Sequence, residues 1–465
     1  MNPQIFRAYD IRGVADRDLD DTVAYRIARA YGVIVREHDG RRVALGRDCR
    51  ASSPRLHAAF LRGLVDAGLE VDDVGVVASP QLYWAVHHLD ADGGVQITGS
   101  HNPADHNGFK MMLGKGTFHG RRIERLRELA AHAEPPAATP GRVRHHDLVE
   151  AYADDVAGRL AFGPRKLRVA IDAGNGTGGV PALAVCRALV ASGAPLEVTP
   201  LFAEMDGRFP NHHPDPTVED NLVDLRRAVL EGGLDVGIAY DGDADRIGVI
   251  DETGAVIWGD RLLILLAREV LERHPGAAIV GEVKCSQTLF SDIAARGGRP
   301  IMSAVGHSII KDRMKDEGAM LAGEMSGHIF YRDRWYGFDD AIYVTGRLLE
   351  ILSRADRPLS ALLADVPETC VTPEIRLDCD DASKFEVVRR AAEHYRKDHD
   401  IVTIDGARIR FADGWGLIRA SNTQPVIVLR AEAESPAALA RIRAELEGFV
   451  ARASAEGSRD GTERS

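Results

Sequence analysis

The chain has 465 residues, room for about three domains of ordinary size or four if one is small, which excludes a single small binding module. Hydrophobic residues make up 45% and charged residues 28%, the balance of a globular chain rather than a disordered one. The 58 Lys and Arg against 70 Asp and Glu leave a formal charge of −12, which excludes the broad basic footprint of a nucleic-acid or anionic-membrane surface and demands a local basic pocket for any anionic ligand.

In chain order, runs rich in Val, Ile and Leu at 43–47, 94–97, 167–171, 236–240, 279–283 and 320–323 alternate with helix-like stretches and predict α/β layers. Three prolines within 134–141 cannot continue a helix or a central strand, so the first domain ends near residue 145. A second boundary follows the turn Glu252-Thr253-Gly254, ahead of a helix over 262–273, and a third lies at 367–373. The expected domains are 1–145, 146–254, 255–367 and 368–452. The last reads as an α+β module with strands at 402–411, 416–420 and 426–431 and a helix over 436–449, followed by a polar tail at 453–465 expected to fray. No repeat of fixed period is visible. Cys49, Cys186, Cys285, Cys370 and Cys379 are odd in number, scattered and never C-x-x-C, which predicts neither a disulfide framework nor a zinc site. The longest apolar run, 262–267, is far short of the ~20 residues of a membrane span, and the N-terminus lacks a signal pattern, so the expected location is the cytoplasm.

Three short constellations carry the chemistry. Thr98-Gly99-Ser100-His101-Asn102-Pro103 follows a strand-like run and is followed by Lys110. A serine in such a turn is expected to expose its hydroxyl among outward backbone N–H groups, although on its own the run serves equally well as a helix cap. It lacks the G-x-S-x-G pattern of an α/β-hydrolase elbow. Asp241-Gly242-Asp243-Ala244-Asp245-Arg246 places three carboxylates at i, i+2 and i+4 on one loop, a donor set for Mg²⁺ or Ca²⁺. An EF-hand loop would put Glu252 at its twelfth position, but its sixth would be Arg246 where Gly is required, and strand-like 247–250 falls inside it. Three carboxylates leave Mg²⁺ short of six ligands, to be completed by water or a phosphoryl oxygen. Gly323-Glu324-Met325-Ser326-Gly327-His328 would, if extended, set Glu324, Ser326 and His328 on one face, with a carboxylate and a hydroxyl matching two neighbouring sugar hydroxyls.

Isolated cations and a histidine complete the inventory. Arg12, Arg47, Lys110, Arg246, Lys284 and Arg419 sit at strand-end positions, where each alone is more often a surface or salt-bridging residue. Arg419 stands apart, because a guanidinium beside Ser421, Asn422 and Thr423 makes a phosphate clamp of side-chain and backbone donors. His307 is a lone loop histidine for which a structural role is as good a reading as a functional one.

Taken together, 98–103, 241–246, 323–328 and 419–423, in this order and at these separations, resemble the α-D-phosphohexomutases, most closely their bacterial phosphomannomutase/phosphoglucomutase branch. The resemblance runs from Phe6-Arg7-Ala8-Tyr9-Asp10-Ile11-Arg12-Gly13 to Leu429-Arg430 and includes 306–311 and 337–340. It implies a heart-shaped α/β fold of four domains, three similar ones with mixed sheets and a smaller C-terminal α+β one, each lending a loop to a central cleft. By the same resemblance Ser100 is the phosphoserine. Asp241, Asp243 and Asp245 hold Mg²⁺ with an oxygen of its phosphate. Glu324 and Ser326 read the sugar hydroxyls, and Arg419, Ser421, Asn422 and Thr423 clamp the phosphate that does not react. Tyr9, Arg12, Lys110, Arg246, Lys284, His307 and His328 resemble the remaining cleft residues, with His328 and Lys110 as the expected proton carriers.

The implied reaction moves phosphate between the 1- and 6-positions of glucose and mannose phosphates through glucose 1,6-bisphosphate or its mannose counterpart, in a monomer or a dimer. Phosphoglucosamine mutase, a phosphatase with the same loops, or a non-catalytic sugar-phosphate binder are the alternatives. Met325 stands where the glucosamine branch usually has Gln, and Ala244, His106 and Gln424 depart from the usual Gly, Tyr and Thr.

Overall fold

The computed structural model describes residues 1–132, 136–380, 383–421 and 425–462 of the chain. They build four sheets. The first runs Ile11–Val14, His106–Leu113, Gly93–Ile97, Arg42–Arg47, Glu70–Val76, Val143–His145, with Gly116–Thr117 added beside His106–Leu113. The second orders Val256–Ile257, Ile247–Asp251, Val236–Tyr240, Leu167–Asp172 and Leu196–Leu201, and the third Arg299–Ser303, Ala278–Glu282, Leu321–Gly323 and Ile329–Tyr331. All three mix parallel and antiparallel pairs. The fourth is antiparallel and carries Gly414–Ala420 and Val426–Ala433 at its centre.

One local design recurs. In each mixed sheet a strand that is parallel to its inner neighbour ends in a loop and returns as an antiparallel strand: Gly93–Ile97 to His106–Leu113, Val236–Tyr240 to Ile247–Asp251, and Leu321–Gly323 to Ile329–Tyr331. In the fourth sheet Gly414–Ala420 returns as Val426–Ala433. Ser100, the three aspartates, Glu324 with Ser326, and Ser421 all lie on these connections, at the C-terminal ends of strands where α/β sheets gather their ligands.

Helices cover the sheets for reasons visible in their sequences. Asp21–Glu37 is capped by Asp20, whose carboxylate accepts from the Val23 N–H, and it buries Ala24, Ile27, Ala28, Tyr31, Ile34 and Val35 at helical spacing. Ala341–Arg354, capped by Asp340, is buried on nearly every side and packs between the second and third units, with the Thr345 hydroxyl 2.8 Å from that of Tyr240. Around it a continuous core joins all three units, containing Trp84 of the first, Tyr152 and Tyr240 of the second, and Leu263 and Tyr343 of the third. The fourth unit has its own core, around Val387, Ile409, Ile418, Leu429 and Leu446.

Each of the six predicted strands falls within a residue or so of an observed one. The second sheet runs through Ile257, so the following helix begins at Gly259 rather than 262. The expected strand at 402–411 is two, Ile401–Val402 and Ala407–Phe411, parted by a turn in which Gly406 takes φ +95°. The last helix, Pro436–Thr462, continues through most of the segment read as a fraying tail, because Ala451, Arg452, Ala453, Ala455 and Glu456 favour helix and no proline interrupts them. Residues 136–142 contain neither helix nor strand, and the rest of the proline-rich stretch lies outside the described residues. All five cysteines are free thiols, and no described helix is long and apolar enough to cross a membrane.

Candidate active site

The Ser100 loop is pinned from beneath. Arg50, 1% exposed, donates from Nη2 to the carbonyls of Ser100 (2.7 Å) and Asn102 (2.6 Å) and from Nη1 to that of Pro103 (2.5 Å). Asp48 accepts from the Gly99 N–H at 3.1 Å, and the Thr98 hydroxyl from the Ser100 N–H at 2.9 Å. Ser100 is thereby held at φ +50°, a conformation that a residue with a side chain rarely adopts and that surrounding structure must enforce. The exposed hydroxyl expected from the sequence is not found. Ser100 is 2% exposed, because the aspartate loop of the second unit closes over it and Asp241 accepts from its Oγ at 2.8 Å.

Asp241, Asp243 and Asp245 are fully buried, with a ligand oxygen of each within 4.8 Å of the others. Lys110 reaches in from the first unit and donates to Asp243 (2.7 Å) and Asp245 (2.5 Å), while the Ser79 hydroxyl donates to Asp243 at 2.5 Å. Burial, joined by the charges of Asp243 and Asp245, pushes the Asp241 carboxyl well above the usual range. Burial acts on Asp243 in the same sense, but Lys110 and the hydroxyls of Ser79 and Ser100 outweigh it and hold that carboxyl low. Lys110 is also penalised by burial, yet Asp243 and Asp245 raise its pKa well above normal, so it stays an ammonium. Asp243 Oδ1 and Asp245 Oδ1 are buried without a hydrogen-bond partner. Hard oxygens converging from three carboxylates, two of them unsatisfied, could hold a hard divalent cation. Ala244, noted where Gly is usual, sits at φ +57°.

His328 stands beside this group, 4% exposed. Its Nε2 accepts from Arg246 Nε at 2.9 Å, so in the neutral ring the proton is on Nδ1, which lies 2.9 Å from Asp339 and 3.6 Å from Asp245. Asp339, fully buried, also pairs with Lys311 at 3.1 Å. Burial raises the Asp339 pKa, but Lys311 and His328 prevail and keep it an anion. His307 lies face to face with His328 at 5.7 Å between ring centroids, and burial together with Lys311 pushes its pKa well below normal.

Glu324 accepts from the Gly306 N–H at 2.8 Å and from the Ser326 hydroxyl at 3.0 Å. The extended segment expected here is a tight turn instead: the Glu324 N–H bonds to the His328 carbonyl, and Gly327, at φ +92°, backs directly onto the Ile247 backbone. The turn still brings Glu324 and Ser326 together. Lys284 sits between Glu374 (3.4 Å) and Glu282 (3.7 Å), the latter pushed up to about 7 chiefly by burial.

Tyr9 donates to the Val305 carbonyl at 3.0 Å, and Arg12 pairs with Asp10 at 2.6 Å. Arg419 pairs with Asp405 at 3.0 Å, and the same carboxylate oxygen accepts from the Val305 N–H at 3.0 Å. Ser421 is buried at the end of the Arg419 strand; Asn422 and Thr423, as well as Gln424, lie outside the described residues.

A cleft of about 490 Å³ opens over these loops. Tyr9, Arg12, Arg246, His307, Glu324 and His328 line it together with Arg376 of the fourth unit. Ser326, Lys284, Lys110, Arg419 and Ser421 are not on this lining; Ser326 is tied to it through Glu324, and Arg419 through Asp405 to Val305. Arg47 takes no part and bonds to the Asp48 carbonyl. Four residues of the arrangement escaped the sequence reading. Arg50, Asp405 and Arg376 are single charged residues without a local pattern, identifiable only by partners that the fold supplies, and Asp339, inside the stretch 337–340 that carries the resemblance, was given no role there. An acid-lined pocket next to a buried serine, faced by a basic cleft, describes a protein that moves phosphoryl groups.

The comparisons with known proteins specify which. Residues 3–134, 150–254, 258–370 and 374–448 match, in turn, the phosphoglucomutase/phosphomannomutase alpha/beta/alpha domains I, II and III and the C-terminal domain. A phosphomannomutase/phosphoglucomutase of Pseudomonas putida is 46% identical over 444 residues, 94% of each chain, and a phosphoglucomutase of Neisseria gonorrhoeae is 45% identical over 450 residues, 96% of each. The crystal structure of a phosphoglucomutase/phosphomannomutase family protein from Burkholderia thailandensis aligns with a TM-score of 0.90 at 42% identity, covering 97% of this chain and 98% of that one. The chain belongs to the phosphoglucomutase/phosphomannomutase family of phosphohexomutases.

Proposed function

We propose that this chain interconverts the 1- and 6-phosphates of both glucose and mannose, with Ser100 carrying the phosphoryl group between half-reactions. The observation that carries the proposal is the Ser100 Oγ, held at 2.8 Å from Asp241 within a buried carboxylate group, directly before His101 and Asn102, which line the cleft together with Arg12, Arg246 and Arg376. Phosphoryl transfer passes through a loose transition state whose charge lies on the peripheral oxygens, so positioning and fixed cations do most of the work. Lys110 and Arg246 are such cations. Asp241, Asp243 and Asp245 would hold Mg²⁺, whose presence would supply charge neutralisation at the transferring phosphoryl group.

In the first half-reaction the P–O bond to Ser100 breaks as the sugar hydroxyl oxygen bonds to phosphorus, and His328 takes the hydroxyl proton at Nε2 once Arg246 turns to the phosphate. Asp339 stabilises the resulting imidazolium at Nδ1. The bisphosphate then turns over and returns its other phosphate to Ser100, with the proton going back from His328 to the departing sugar oxygen. Lys110, locked as an ammonium, serves as a charge rather than a base. Arg419, Ser421, Asn422 and Thr423 clamp the idle phosphate, and Lys284 supplies a further cation behind the sugar loop. Glu324 and Ser326 grip the 3- and 4-hydroxyls, which leaves the configuration at carbon 2 unread and admits both hexoses. Every one of these groups comes from a single chain, as in a catalytically competent monomer.

The test is ³¹P NMR of the protein with Mg²⁺ and a trace of glucose 1,6-bisphosphate. Glucose 1-phosphate and mannose 1-phosphate should both become 6-phosphates without accumulation of free phosphate. Steady phosphate release matching turnover would show a phosphatase, and conversion of glucosamine 6-phosphate alone would place the chain in the glucosamine branch.

A further inference from the structure

A second cavity, of about 180 Å³, lies at the seam between the first and third units, on the other side of the wall formed by Tyr9 and His307 from the catalytic cleft. Its floor is tied together by Asp312 of the helix His307–Glu317, which accepts from Thr117 (2.7 Å) and lies 2.7 Å from the His119 ring of the first unit. The charge around it contrasts with the −12 of the chain: Lys110, Lys115, Lys311, Lys315 and Arg332 line it against one carboxylate, Asp312. Three of these cations are already balanced, Lys110 by Asp243 and Asp245, Lys115 by Asp90 and Lys311 by Asp339. Lys315 and Arg332, both exposed, have no side-chain partner among the described residues. His87, on the same wall, is pushed down to about 4 by burial and by Lys115 and adds no charge of its own at neutral pH.

The geometry points to a second anion site at this seam, distinct from the catalytic cleft, which takes a compact phosphoryl anion bridging Lys315 and Arg332 and which slows the mutase reaction when occupied. Two exposed cations lining a partly enclosed pocket with aromatic walls suit a phosphate better than a carboxylate, since phosphate offers more acceptor oxygens and charge to distribute over both. A nucleobase is disfavoured. Tyr336 already has Arg159 over its ring at 4.7 Å, His87 against it at 4.7 Å and Phe338 stacked at 6.0 Å, and the Tyr83 ring is covered by Lys311 at 4.5 Å. Stacking on Tyr336 or Tyr83 would have to displace these contacts. The ligand is therefore inorganic phosphate, pyrophosphate or the phosphate of a small ester.

The coupling to catalysis runs through Lys311, which lies one turn before Lys315 on the same helix. An anion in the pocket competes with Asp339 for the Lys311 ammonium, 3.1 Å away, and Asp339 is the carboxylate set against Nδ1 of His328. Occupancy thus disturbs the positioning of His328 without entering the sugar site. This effect on rate rests on the mutase reading above, whereas binding itself does not.

Two measurements test it. Inorganic pyrophosphate and, separately, glycerol 3-phosphate are titrated by calorimetry into the wild type, Arg419→Ala and the double variant Lys315→Ala/Arg332→Ala. Saturable binding of at least one probe to the wild type and to Arg419→Ala, weakened at least about tenfold in the double variant, is the expected result. Which probe binds distinguishes an inorganic from an ester source. In steady state the same probe should lower kcat with an unchanged KM for glucose 1-phosphate, and the double variant should keep its basal rate while losing the inhibition. No binding up to about 10 mM probe, or binding that survives in the double variant and vanishes in Arg419→Ala, overturns the proposal, the latter because only the catalytic clamp would then bind phosphate. If calorimetry succeeds and no hexose phosphate is converted, the site stands and the mutase reading falls.

Discussion

Asp339 is outside the lining of the cleft, yet its carboxylate lies 2.9 Å from His328 Nδ1 and 3.1 Å from Lys311. An amide in its place keeps the shape but cannot stabilise a histidine that has gained a proton. Asp339→Asn should therefore lower kcat by about a hundredfold with little change in KM, and Asp339→Glu should recover part of the loss. Equal effects on kcat and KM in steady-state assays would contradict the role. Legibility at this scale followed local pattern. Ser100 and the three aspartates were readable because residue type and spacing within one loop define their chemistry. Arg50 and Asp405 were not, since a lone charge declares no role until the fold brings it to the carbonyls of Ser100 and Asn102 or to Arg419.

At the scale of elements, the same strand-loop-strand hairpin presents the functional loop in each unit, and the loops share no sequence that would have shown it. The strands were legible from their Val and Ile content, whereas the Glu324 turn was not, because alternation of Glu, Ser and His fits an extended strand as well. What decides it is Gly327. A Cβ there would meet the Ile247 carbonyl, a backbone atom that cannot move aside, and φ +92° is unfavourable for any side chain. Gly327→Ala should cost roughly 2 kcal/mol in urea unfolding and raise KM by dislodging Glu324 and Ser326. An unchanged KM would show that the turn does not position the sugar readers.

Over the whole molecule, one core joins the first three units, whereas the fourth has its own core and meets the third through a small apolar cluster of Val283, Trp415 and Leu417. Arg408, 4% exposed, is the main pin. Its guanidinium lies 3.7 Å over the Trp415 ring and donates to the Val283 (2.6 Å) and Cys285 (2.9 Å) carbonyls, on either side of Lys284; burial pushes its pKa down to about 10. Arg408→Ala should raise KM several-fold and increase hydrogen exchange in 283–285 while the first three units keep their protection. Uniform exchange throughout the chain would instead mean that the pin supports the global fold.

Acid stability has an identifiable source in the third unit. Burial disfavours the Asp333 carboxylate, but Arg273, Arg347 and His274 outweigh it and hold the pKa at about 2. Because the folded value lies below the unfolded one, this stabilisation is present above about pH 4 and is lost as the pH falls towards 2. Urea midpoints of Asp333→Asn should therefore fall below the wild type at pH 7 and approach it as acid protonates the wild-type carboxylate.

The central claim is that Ser100 carries the phosphoryl group, and mass spectrometry of the intact protein and its peptides tests it most directly. After incubation with glucose 1,6-bisphosphate and Mg²⁺, one phosphoryl group should be found on the Ser100 peptide. It should leave on addition of either glucose 1-phosphate or mannose 1-phosphate and never form in Ser100→Ala, whose melting temperature stays that of the wild type. Phosphate on another residue, or a Ser100→Ala variant that still interconverts the hexose phosphates, would contradict the account.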